Sequence, residues 1–232
     1  MKTLLFKKSA IAAAVGIAGM FCAGSASAYT WSINTPTQCN NTMTNGCTSL
    51  LSGATLIDFN ANLSLPSGAN FNYSGGSVVS PPTTVNHAPP NGDTSNYFAV
   101  GPFDGTPGSF NYTGAGPRLY YFGFNYSSPD LYNSVEIMRA GNVIQTFTGI
   151  QLATPLGFPA NGDQSTTRYL NVFADNAGEL FDQVRFVSTS NAFESDNHAF
   201  AAIPEPETYA MMLAGLGLMG FIARRRKLTV AA

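Results

Sequence analysis

Lysine is missing from the whole middle of this chain. Residues 29–203 contain none, and only four arginines (Arg118, Arg139, Arg168 and Arg185) against eight Asp and three Glu. That region therefore carries a net charge of −7, which the whole-chain value of −2 conceals because the positive charges sit in the two terminal segments. A surface of this sign argues against nucleic acid and anionic membrane as partners and suits cation binding or simple solubility. Histidine is scarce too, with only His87 and His198, which leaves few ways to assemble a nucleophilic triad. No G-x-S-x-G elbow, HExxH, P-loop or strand-borne G-x-G-x-x-G is present. The carboxylates that could serve glycoside hydrolysis, Glu136, Glu179 and Glu194, are scattered, and solvated strand faces account for each equally well. No catalytic residue is assigned, and the chain is not read as an enzyme.

Cysteine is nearly absent as well. Of three in the chain, Cys22 falls in the N-terminal segment, leaving Cys39 and Cys47 for the mature protein. Two cysteines separated by a short polar loop in an exported chain most simply form a disulfide. Closing so small a ring stabilises by about 2.5 kcal/mol on the chain-entropy account. A metal role for the pair is disfavoured, because neither histidine lies close in sequence and no second cysteine pair exists.

What is present at the start is a secretory signal. Lys2, Lys7 and Lys8 give a positive n-region, residues 10–21 an apolar h-region, and Ala26-Ser27-Ala28 an A-x-A site. Cleavage is expected between Ala28 and Tyr29, which removes the signal helix over residues 1–28.

Residues 29–203 are long enough for one domain with a real core. Short runs rich in Val, Ile, Phe, Tyr and Thr alternate with clusters of Gly, Pro, Asn, Asp and Ser, the pattern of an antiparallel β-sandwich. The strands expected are 55–64, 96–101, 108–113, 118–127, 134–139, 142–148, 168–174, 181–189 and 192–202, with Ala140-Gly141 as a tight hairpin. No 3.6-residue apolar stripe with caps appears before Ile203, so the fold class is all-β. Two proline-bearing stretches, 75–93 and 153–165, read as loops that either bind or are tolerated insertions. Asn-Tyr-Ser/Thr triplets starting at Asn72, Asn111 and Asn125 match the glycosylation sequon but read mainly as strand and turn composition.

Two binding chemistries can be placed. A structural Ca²⁺ needs several oxygen ligands, and Asp58 on the first strand could share one with Asp196 on the last if those strands are neighbours. The same residues also suit turn or surface positions. No other cofactor is expected. For carbohydrate, exposed aromatic faces are needed beside polar groups. In RLYYFGFNYSSPDLYN, alternation sends Tyr120, Phe122 and Phe124 to the core, leaving Tyr126 and Tyr132 at the strand-end loop as ligand candidates.

The C-terminus carries the most specific pattern: Pro204-Glu205-Pro206, an apolar segment over residues 209–223, then Arg224-Arg225-Arg226-Lys227. This order resembles a PEP-CTERM sorting signal, here residues 204–228, and such tails are also described as the C-terminal domain of ice-binding proteins. The resemblance implies handling by an exosortase-type protease and transpeptidase in bacteria that make extracellular polysaccharide. It also implies transient inner-membrane anchoring, then display at the cell surface or outside the cell. Fifteen apolar residues rise only about 22 Å as a helix against roughly 30 Å of hydrocarbon, which suits a short-lived transmembrane helix. The basic cluster holds the C-terminus on the cytoplasmic side.

YYFGFNYSSPDLYNSVEIMRAGNVIQTFTG and FDQVRFVSTSNAFESDNHAF resemble ectodomains of that group, which implies a jelly-roll sandwich similar to carbohydrate-binding modules. Tyr126-Ser127-Ser128 stands where Trp-Gly-Ser is usual, and Ser195 where an apolar residue is usual. The expected function is an exported cell-surface or matrix protein that binds exopolysaccharide. The alternatives are a purely structural or adhesive protein and, more distantly, a polysaccharide hydrolase.

Overall fold

The computed structural model describes residues 30–34, 46–81, 86–116, 118–127, 129–154, 159–162, 167–203 and 206–230. The signal segment, the Ala28–Tyr29 junction, Cys39, Pro204 and Glu205 lie outside them. Thirteen strands are described: β1 (Thr30–Asn34), β2 (Thr55–Ile57), β3 (Ser67–Gly68), β4 (Phe71–Ser74), β5 (Ser77–Val79), β6 (Tyr97–Val100), β7 (Gly108–Tyr112), β8 (Leu119–Tyr126), β9 (Asn133–Arg139), β10 (Asn142–Thr148), β11 (Arg168–Phe173), β12 (Gln183–Ser188) and β13 (Phe193–Ala202). Two helices accompany them, α1 (Gly149–Ala153) and α2 (Pro206–Val230).

The strands form two antiparallel sheets. One runs β1-β11-β8-β13-β6-β5 with β2 also on β13, and the other runs β10-β9-β12-β7-β4-β3. Phe98, Phe122, Phe124 and Leu170 of the first meet Tyr73, Phe110, Val184 and Phe186 of the second in one core cluster. Period-two alternation produces this packing: inward Phe122, Phe124 and Tyr126 on β8 face inward Phe110 on β7 and Phe186 on β12. The all-β expectation holds, as a two-sheet sandwich.

The hairpin at Ala140-Gly141 is a two-residue loop joining β9 to β10, with φ of 49° and 78°. Both central residues are left-handed, as the twist-matching turn requires. The short strands escaped the sequence pattern: β1, β3, β4 and β5 are only two to five residues long, too short to show alternation. In the other direction, the strand expected over 55–64 stops at Ile57, because Phe59 adopts φ 55° and turns its ring into the core. The capped turn of α1, where Thr148 and Gln151 close a reciprocal capping box, was also not foreseen.

β13 organises the first sheet. Its far edge is shared by two strands, β6 along Phe193–Ser195 and β2 along His198–Phe200. Its near edge pairs with β8, but the register slips between Asp196 and Ala199. Asn197 sits at that slip with φ 50°. Such a bulge inserts one extra residue and shifts the inward–outward alternation by one beyond it. Ser195 and His198 therefore both point into the sandwich, while Glu194 and Asp196 point out of it.

Candidate functional site

The centre of the sandwich holds a histidine. His198 is fully buried, with Phe186 stacked on it at 5.1 Å and Phe59 edge-on at 4.9 Å. Its Nδ1 lies 2.7 Å from the Tyr73 hydroxyl and its Nε2 lies 2.9 Å from Ser195 Oγ. A neutral imidazole donates to one of these hydroxyls and accepts from the other, so the ring ties the two sheets together without a charge. Burial among aromatics pushes its pKa down to about 3. The third member of this Ser-His arrangement is a tyrosine and not a carboxylate, and the ring is a weak base with no exposed surface.

The carboxylates considered for chemistry have separate partners. Glu136 forms an ion pair with Arg185 across β9 and β12. Glu179 accepts from Asp175 N–H and from the Asn176 amide, closing a turn. Glu194 accepts from Ala88 N–H at 2.9 Å.

On the outer side of β13, one sheet face is covered by the chain itself. Residues 46–54 and 86–95 reach it: Ser49 Oγ meets Tyr121 OH, Ala88 N–H donates to Glu194 and Ser95 Oγ approaches Asp196. Tyr121, Asn125 and Tyr169 share that face. Tyr121 OH donates to Asn171 Oδ1, and Tyr169 OH donates to the Asn197 carbonyl. Both rings reach over Gly123, where a Cβ would come within 2.6 Å of them. Cys47, also in this cover, is fully buried and disulfide-bonded, while Cys39, its expected partner, lies outside the described residues.

The strands bearing Asp58 and Asp196 are neighbours, β2 pairing with β13, but the two carboxylates have different surroundings. Asp58 follows β2 and is exposed, its Oδ1 accepting from Asn60 N–H, and it borders an open groove of about 470 Å³ with Asn62, Ser64 and Phe71. Asp196 instead faces Asp93, and the Ser95 hydroxyl bridges the two by donating to Asp93 Oδ1 and approaching Asp196 Oδ2 at 3.1 Å. Burial first, and the Asp93 charge second, hold the Asp196 carboxyl well above the usual carboxylate range. Asp93 was missed because it lies in a proline-rich loop with no strand pattern. Among the described residues, no group of three or more His, Cys, Asp or Glu could hold a metal by those side chains alone.

Of the aromatic candidates, Tyr126 is corrected by alternation: it joins Leu119, Phe122 and Phe124 of β8 in the core, fully buried, and its hydroxyl donates to the Leu152 carbonyl at 2.9 Å. Tyr132 is half-buried, its hydroxyl donating to the Asn191 carbonyl at 2.9 Å. The buried Tyr126 ring offers no platform to a glycan, whereas Tyr132 keeps part of its surface exposed.

The free broad face is the outer side of the other sheet. Asn72 and Asn111 are cross-strand partners there, and Gln183 is the next in register. Asn111 Nδ2 donates to Asn72 Oδ1 at 3.0 Å, and Gln183 Nε2 donates to Asn111 Oδ1 at 2.8 Å. This amide ladder continues to Ser74 and lies beside the Arg185–Glu136 pair. Two of the three sequon asparagines thus stand on it, and the third, Asn125, is fully buried.

The sandwich ends at Ala202, and α2 follows almost at once. Residues 210–222 of α2 are exposed on all sides. Among the described residues no helix is long and apolar enough to cross a membrane. No curated protein and no solved structure matches the chain. Residues 202–227 match the family model described as the PEP-CTERM protein-sorting motif, so the last strand of the sandwich runs directly into the sorting signal of an exosortase-sorted exported surface protein.

Proposed function

We propose that this chain is a non-enzymatic component of the cell surface or extracellular matrix that contacts exopolysaccharide through the outer face of its β10–β3 sheet. One observation carries the glycan reading: among the described residues, loops of the chain lie against one sheet face, while the other presents a ladder of side-chain amides. Side-chain amides each offer a donor pair and an acceptor, which matches the vicinal hydroxyls of a sugar. The reading takes residues 1–28 as a removed signal, residues 29–203 as a jelly-roll ectodomain, and residues 204–228 as the processed tail. Pro204, Glu205 and Pro206 would be read by the exosortase, after brief inner-membrane anchoring through residues 209–223. Arg224, Arg225 and Arg226 would hold the tail on the cytoplasmic side.

Two measurements test this. Intact-mass analysis of the full chain expressed with and without an exosortase should show an N-terminus at Tyr29 in both, and loss of the tail near residues 204–206 only with the enzyme. An unaltered basic tail in the exported form would refute the processing claim. Co-sedimentation with the host's exopolysaccharide should be lost in an Asn72→Ala/Asn111→Ala/Gln183→Ala variant that unfolds at the temperature of the parent. Equal sedimentation of both, or none of either, would leave a structural or adhesive role in its place.

A further inference from the structure

Three buried polar atoms on the covered face of the first sheet have no hydrogen-bond partner: Asp93 Oδ2, Asp196 Oδ1 and Asn125 Nδ2. They come from three separate parts of the chain, the loop before β6, strand β13 and strand β8. Asp196 and Asn125 are 0 % exposed and Asp93 is 4 % exposed. Asp196 and Asn125 are register partners across the β13–β8 pair, and Ser95 ties Asp196 to Asp93 through their other oxygens.

The three residues adjoin one another: Asp196 and Asn125 face each other in register, Ser95 joins Asp196 to Asp93, and a Cβ built on Gly46 would lie 2.3 Å from Asn125 Nδ2 and 3.0 Å from Asp93 Oδ2, so only a glycine can pass beside the space between these groups. Gly46 passes this space with φ 68°, and its neighbour Cys47 is disulfide-bonded, which keeps the segment in place. Leaving such atoms unpaired is destabilising because they lose water without gaining a partner, and two carboxylates facing one another add repulsion. The groups acting on Asp196 are Asp93, its own neighbour's N–H and Ser95, with no cationic side chain among them.

We propose that this space is a divalent-cation site, of the hard oxygen-ligand class filled by Ca²⁺, with Asp93, Asp196 and Asn125 as its side-chain ligands. Asn125 takes part by a half-turn of its amide. Its Oδ1 now accepts from Thr167 Oγ1 at 2.7 Å, and Thr167 Oγ1 also lies 3.4 Å from the Tyr126 carbonyl. After the half-turn, Asn125 Nδ2 donates to Thr167 Oγ1, the threonine hydroxyl donates to Tyr126, and the amide oxygen faces the carboxylates. Three side-chain oxygens carrying two negative charges are then presented together, and main-chain carbonyls and water complete a Ca²⁺ shell of 6–8 oxygens. The cation would pin the loop over residues 86–95 and the segment at Gly46 to the outer face of the sandwich.

The test uses the full chain purified as exported and stripped with a chelator. Titration with CaCl₂ should release or absorb heat with one site per chain, and an excess of ~100-fold over Kd should raise Tm by about 5–10 °C. Asp93→Asn and Asp196→Asn are near-isosteric and relieve the repulsion, so both fold without metal, and both should lose the calcium response. Asp58→Asn should keep it. Absence of heat and of any Tm change with CaCl₂ would overturn the proposal in favour of a proton shared by the two carboxylates. A calcium response that survives both Asp→Asn changes, or that MgCl₂ reproduces in full, would overturn it as well.

Discussion

At the scale of single residues, His198 shows why a buried polar group can be worth keeping. Its two ring nitrogens satisfy hydroxyls from opposite sheets, Tyr73 on β4 and Ser195 on β13. Replacing it with Leu keeps the volume but strands both hydroxyls, and we expect a loss of about 2–4 kcal/mol in urea unfolding. Adding Tyr73→Phe to that variant should recover about 1 kcal/mol, because one unpaired group disappears with its partner. Glu194 sets the response to pH. Burial, and more weakly Asp130 and Asp104, push its pKa up to about 7 against the Ala88 N–H, which pulls it down, and Tyr97 and Tyr132 also face it. The folded state therefore holds a proton that the unfolded chain has lost, so stability falls as pH rises through about 7. His198 acts oppositely: the unfolded chain takes up a proton near 6.5 while the folded chain waits until about 3, so stability falls as pH drops from about 6.5 to about 3. In metal-free protein, Glu194→Gln should gain Tm relative to the parent as pH rises from about 4.5 to about 7 and hold that gain above. A Tm difference that stays constant across this window would refute the assignment.

At the scale of elements, what could be read from sequence depended on length and covering. β9 and β10 were visible because each runs for seven residues rich in β-forming side chains, and the turn between them carries its own signal in Gly141. Ala140 is the weak part of that turn, since a Cβ at φ 49° is strained. Ala140→Asn supplies the residue this turn prefers and should stabilise by about 0.5–1 kcal/mol in thermal unfolding. The inward turn of Tyr126 followed from the same alternation as Phe122 and Phe124, yet its place before a loop suggested exposure. Only the packing of α1 beneath it, which supplies the Leu152 carbonyl, shows otherwise. The Asp196 environment was half legible. Its outward direction with Glu194 follows from period two, but Asp93 reaches it through a loop whose path no local pattern encodes. The bulge at Asn197, which returns His198 to the core, has no sequence marker beyond asparagine's tolerance of positive φ.

At the scale of the whole molecule, sandwich and tail are separable in structure although they are adjoining in sequence. Residues 210–222 are exposed along α2, so nothing in the core depends on them. A chain stopped after Ile203 should unfold at the temperature of the longer one, whereas a chain stopped after Ser190 should fail to give a cooperative transition by circular dichroism. The sorting signal was the easiest part to read because its three components are contiguous. The sheet faces were the hardest, because which face is open depends on loops that cross over from elsewhere.

The position of β13 also sets an order of events. It follows every other described strand in the chain, yet it lies inside its sheet, bonded to β8 on one edge and to β6 and β2 on the other. Three earlier pieces of that sheet, β1-β11-β8, β6-β5 and β2, therefore wait for residues 193–202 before they can join. The sandwich closes only once β13 has been made, so a polypeptide that threads a translocation pore while β13 is still to come meets no finished domain on the way.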